Sequence, residues 1–60
     1  MLERIKSLNL KVSAIAKKAG VAPATVKRFL EKGESRKELY ILYAISKLSG
    51  KTLDYIIMGV

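Results

Sequence analysis

Apolar residues recur along the chain at helical spacing in short bursts, and each burst ends at a residue suited to a turn. Leu2, Ile5 and Leu8 stand three apart among charged neighbours, which predicts a short first helix. Asn9 can end it or open the next. Ile15, Ala16 and Ala19 form the apolar stripe of a second helix over Val12–Ala19, with Lys17 and Lys18 pointing away from it. Gly20 stops that helix, because glycine tolerates the left-handed conformation common just past a helix end. Pro23 then starts a third helix at a position where its missing N–H would have had no partner. Val26, Phe29 and Leu30 form its buried stripe and Gly33 closes it.

Ser35-Arg36-Lys37-Glu38 has the S-x-x-E form of a capping box, which predicts a fourth helix through about Leu48. Leu39, Leu42, Ile45 and Leu48 carry its apolar side, and Ser49-Gly50 ends it. Thr52 caps a last short helix, Leu53–Met58, with Asp54 in the first turn, where a carboxylate favours the positive dipole end. No strand-like alternation, repeat or low-complexity tract interrupts the pattern. The expected fold is all-α, a compact bundle of about five short helices forming one domain over residues 1–60.

The offsets around Gly20 are more particular than amphipathic spacing alone. Two helices crossing steeply through a three- or four-residue turn need a small residue, an apolar residue and a locking residue at fixed places. Ala16 lies four before the glycine, Val21 follows it directly, and Val26 stands six after it. Ile15 and Phe29 then face the core from either side. These positions predict a helix-turn-helix over Val12–Glu31.

Charge and composition add a partner class. Twelve Lys and Arg against five acids give +7 on 60 residues. Such an excess favours polyanions, with nucleic acid first and an acidic membrane or protein second. The absence of Cys and His excludes disulfides and Cys/His metal sites, so no cofactor or metal is expected. The composition suits a reducing interior. The N-terminus lacks the h-region of a signal peptide, and the apolar run Leu39–Ile45 is far too short for a bilayer span. A soluble, cytoplasmic, nucleoid-associated protein with no membrane partner is expected. Enzymatic activity is not, because Glu3, Glu31, Glu34, Glu38 and Asp54 show no paired spacing for acid–base work.

The segment Ile15-Ala-Lys-Lys-Ala-Gly-Val-Ala-Pro-Ala-Thr-Val-Lys-Arg-Phe-Leu30 resembles the helix-turn-helix of the lactose-repressor family, whose pattern is close to V-A-x-x-A-G-V-S-P-A-T-V-S-R-x-L. That family adds a hinge helix and a large sugar-binding domain, for which this sequence has no counterpart. The segment Leu42–Gly59, ending Gly-Lys-Thr-Leu-Asp-Tyr-Ile-Ile-Met-Gly, resembles instead the closing helices of the lambda-repressor-like superfamily, to which phage Cro proteins belong. The resemblance spans nearly the whole chain and implies a sequence-specific DNA-binding regulator, a Cro-like repressor from a phage or mobile element. Two positions depart from the pattern. Ala22 replaces the usual Ser or Thr cap, and Lys27 stands where serine is frequent.

In helix-turn-helix proteins the second helix enters the major groove of double-stranded DNA and its N-terminal residues meet base edges. Pro23, Ala24, Lys27 and Arg28 are therefore the candidate base contacts. Arg28 is the foremost reader, since a guanidinium can pair with guanine O6 and N7; its alternative is a surface ion pair with Glu31 or another acid. Lys27 is a second reader or a phosphate contact. Lys11, Val12 and Ser13 at the start of the second helix, and Thr25, Lys32, Arg36 and Lys37, are candidate phosphate contacts, which fix register without reading sequence. Lys17 and Lys18 contribute field, and Lys47 and Lys51 are read as solvated. Tyr40, Tyr43, Tyr55, Ile56, Ile57, Met58 and Val60 supply more apolar surface than five short helices readily bury. Of these, Tyr55, Ile56, Met58 and Val60 are expected to form a homodimer interface, populated at least on DNA; the alternative is that most of this apolar surface is core. A dimer favours a near-palindromic operator, with no small-molecule ligand. The competing function is a small protein-interaction module, an antitoxin or adaptor, using the tyrosine-rich C-terminal surface. A membrane-active amphipathic peptide fits less well, because Gly20, Gly33 and Gly50 break the chain into a globule.

Overall fold

A computed structural model describes residues Met1–Val60 as five α-helices with no strand. They are α1 Leu2–Ser7, α2 Val12–Ala19, α3 Pro23–Lys32, α4 Glu38–Ser49 and α5 Leu53–Met58. The chain is an all-α bundle of 29 × 20 × 18 Å. Helix α2 packs on both α3 and α4, and α4 packs on α5. No helix is long and apolar enough to cross a membrane.

The core is entirely apolar. Ile5 from α1, Ile15 and Ala16 from α2, Val26 and Phe29 from α3, Ile41, Leu42, Ala44 and Ile45 from α4, and Ile56 from α5 form one buried cluster. Phe29 and Val26 are wholly enclosed, each contributing roughly 1.5–3 kcal/mol of burial free energy. Leu2, Leu8, Val21 and Leu30 are half-buried against the same cluster.

Helix ends follow local chemistry. Asn9 ends the first helical segment in the left-handed region at φ 55°. Gly20 does the same after α2 at φ 74°, and the Ala16 carbonyl accepts both the Gly20 and the Val21 N–H, at 2.9 and 3.0 Å. That double acceptance turns the chain sharply and swings Val21 onto the core. Thr52 caps α5 as expected, its Oγ1 accepting the Tyr55 N–H at 3.1 Å.

The start of α4 differs from expectation. Ser35 does not form a capping box with Glu38; its Oγ accepts the Lys37 N–H at 3.2 Å instead. Arg36 and Lys37 form a turn, so Glu38 is the first helical residue rather than the third. The apolar side of α4 also differs. Its inward residues are Ile41, Leu42, Ala44 and Ile45, because this helix meets α2 and α5 together. Leu39 lies about 200° round the helix from Ile41 and is 80% exposed. Leu48 is at the exposed margin.

Arg4 joins the two ends of the chain. Its Nη2 donates to the Ile57 carbonyl at 2.8 Å and its Nε to the Ile56 carbonyl at 3.3 Å. A cation at the C-terminal end of α5 is favoured by the helix dipole as well. Gly59, at φ 80°, leaves room for this contact: a Cβ there would stand 3.0 Å from Arg4 Nη1.

Candidate nucleic-acid interface

The side of α3 opposite Val26 and Phe29 is open to solvent. Pro23, Ala24, Lys27 and Arg28 are all exposed on it, as the helical period requires when the other side is enclosed. Glu31 shares this face, one turn beyond Lys27 and Arg28. Arg28 and Glu31 form no hydrogen bond; the basic side chain whose nitrogens hydrogen-bond within the protein is that of Arg4. The guanidinium of Arg28 therefore faces outward without an internal partner.

Helices α2 and α3 both begin without a side-chain cap. Lys11 precedes α2 and Ala22 precedes α3, each in extended backbone conformation. Lys11 and Ser13 are exposed and Val12 is half-buried, so this end of α2 offers backbone donors beside one lysine. Thr25 is half-buried at the flank of α3.

The remaining candidates divide. Lys32 and Arg36 join Arg28 around an open depression of about 520 Å3, with Glu34 and Ser35 completing its lining. No apolar side chain lines it. Lys37 is absent from that lining. Its ammonium lies 5.2 Å from the centre of the Tyr40 ring, close enough for a cation–π contact that holds it along α4. Lys47 and Lys51 are not simply solvated, since they stand 5.4 and 5.2 Å from the centres of the Tyr43 and Tyr55 rings. Lys17 and Lys18 line a second depression of about 390 Å3 with Ala14 and Leu48.

The expected interface set needs one correction. Ile56 is wholly enclosed in the core and has no surface to offer a second copy. Its neighbours in the same apolar run diverge: Tyr55 is half-buried, whereas Met58 and Val60 are 70% and 84% exposed. The exposed apolar residues also include Tyr40 and Tyr43 on α4 and Ile57 on α5, which the sequence marks as surplus apolar surface, and Leu39 and Leu53, which it does not. Ser35 and Glu34 were likewise missed as part of the basic depression, because the capping-box pattern assigned Ser35 a different task.

No family model, curated protein or solved structure matches the chain.

Proposed function

We propose that this protein is a sequence-specific DNA-binding transcriptional regulator, a Cro-like repressor of the lambda-repressor-like kind. The observation that carries the reading is the asymmetry of α3. Its inner side is locked into the core by Val26 and Phe29, and its outer side presents Pro23, Ala24, Lys27 and Arg28 free of internal hydrogen bonds. A rigidly seated helix with a basic outer face suits major-groove docking, and the uncapped start of α2 offers free N–H groups to a phosphate.

In this reading Lys27 and Arg28 supply the polar contacts to bases, and Ala24 and Pro23 supply apolar contact to thymine methyls. Lys11, Val12, Ser13, Thr25, Lys32 and Arg36 contact phosphates, and Lys37 adds charge beside them. The direct code is thin, so much of the affinity comes from phosphates and from duplex shape. Selection of bound sites from random-sequence duplex tests this. Enrichment of a short motif, doubled with two-fold symmetry where a dimer binds, is expected; recovery of no motif would overturn sequence specificity.

A second reading is favoured by the exposed apolar residues Leu39, Tyr40, Tyr43, Met58 and Val60. Apolar surface of this extent suits contact with another protein, either a second copy or an unlike partner. Sedimentation of the wild type and of Met58→Lys separates the cases. A dimer that Met58→Lys dissociates supports self-association through α5, and a monomer at all concentrations favours an unlike partner.

A further inference from the structure

One charged residue at the depression beside α3 has no part in the reading above. Glu34 stands in the segment between α3 and α4 and lines the same space as Arg28, Lys32, Ser35 and Arg36. Neither guanidinium hydrogen-bonds to it, so three cations and one carboxylate face this space without direct pairing. The Ser35 hydroxyl lines the space as well, and its oxygen accepts the Lys37 N–H. The charge pattern suits a phosphate oxyanion in every respect but the carboxylate. A phosphate drawn in by Lys32 and Arg36, beside the base-reading Arg28, would share the space with a like charge.

We infer that Glu34 is a built-in competitor for DNA phosphate, setting the upper limit of affinity at this depression. The inference rests on the DNA-binding reading. In the free protein the carboxylate offsets part of the field of the three cations. On a duplex it repels the phosphate they attract, and it does so whatever the base sequence. Phosphate contacts carry no sequence information. With few polar readers on α3, an unopposed basic depression would hold the protein on any duplex. Glu34 lowers that common contribution, so that DNA lacking the base contacts is vacated at protein concentrations that still fill a preferred site.

The test measures binding of a random-sequence duplex by fluorescence anisotropy across a range of salt, for the wild type, Glu34→Gln and Glu3→Gln. Glu3 is exposed on α1 and does not line the depression, so its variant reports the effect of net charge alone. Removing a like charge about 4 Å from a phosphate in water corresponds to about five-fold tighter binding for Glu34→Gln. A newly engaged phosphate steepens the log–log salt slope by about 0.9. Glu3→Gln is expected to change affinity less than about two-fold, because salt screens a distant charge. Equal effects of the two variants would overturn the inference, and so would weaker binding by Glu34→Gln, which would make Glu34 a positioning residue for the arginines. A wild type that binds no duplex would overturn the DNA-binding reading itself, and the inference with it. Matching circular dichroism of the three proteins shows that folding is not the cause.

Discussion

Ala22→Ser should stabilise the protein, and the structure supplies both the geometry and the scale. Ala22 precedes α3 at φ −71°, ψ 146°, close to Thr52 before α5 at φ −75°, ψ 160°. At Thr52 the two acceptors are divided: Oγ1 takes the Tyr55 N–H at 3.1 Å and the carbonyl takes the Ile56 N–H at 3.1 Å. At Ala22 a single carbonyl serves both equivalents, the Thr25 N–H at 3.0 Å and the Val26 N–H at 3.4 Å. A serine hydroxyl would give the Thr25 N–H its own acceptor and leave the carbonyl to Val26. Since Thr25 is already partly satisfied, the gain lies at the lower end of the usual capping range, roughly 0.5–1 kcal/mol. In a domain of this size that raises Tm by about 2–8 °C. Thr52→Ala should lower Tm by a similar or larger amount. Thermal unfolding followed at 222 nm (far-ultraviolet circular dichroism) measures both. If Ala22→Ser is neutral or destabilising while Thr52→Ala destabilises, the parallel between the two helix starts is wrong.

Further substitutions test the core, the closure of the chain and the reading face. Phe29→Ala removes the largest wholly buried side chain and should cost about 3–5 kcal/mol. A single core in a chain this small rarely supplies more than about 3–5 kcal/mol, so the variant should be largely unfolded by circular dichroism, while Phe29→Leu should remain folded. Arg4→Met should cost about 1–3 kcal/mol through loss of the charged hydrogen bonds to Ile56 and Ile57, and hydrogen exchange should accelerate first in α5. Arg28→Ala should cost about 1–3 kcal/mol on a preferred duplex and relax base preference at one position, whereas Lys37→Ala should weaken all duplexes alike. Competition binding against base-substituted duplexes distinguishes them, and uniform weakening by Arg28→Ala would move that residue from base reading to the phosphate set.

The turn between α2 and α3 was legible because its determinants are local. Ala16, Gly20, Val21 and Val26 act over a few residues, and the conformation of Gly20 follows from the chemistry of that one position. Leu39 was misread because amphipathic spacing gives a stripe but not the number of neighbours a helix must meet. Packing of α4 on α2 and α5 together rotates Leu39 outward. Ser35 and Glu38 match a capping box in sequence, yet an intervening turn changes the position that Glu38 occupies in the helix. In the run Tyr55–Met58 every residue but one is aliphatic, so periodicity could not separate the enclosed Ile56 from the exposed Met58. The Arg4 contacts span 52 and 53 positions in sequence and leave no local trace. The exposed face of α3 was legible for the same reason as its core, since burial of Val26 and Phe29 fixes what lies opposite. The depression shared by Arg28, Lys32 and Arg36 was not, because it depends on the path of the chain between two helices.

On the proposed function, α3 meets DNA through its outer face, with the start of α2 beside it. Amide chemical-shift mapping of the labelled protein, titrated with a short duplex, addresses this residue by residue. The largest shifts are expected on Lys11, Val12 and Ser13 and on Ala24, Lys27 and Arg28, and they should fade as salt is raised. Shifts confined to Leu39, Tyr40 and Tyr43 on α4, or no shifts at all, would contradict it.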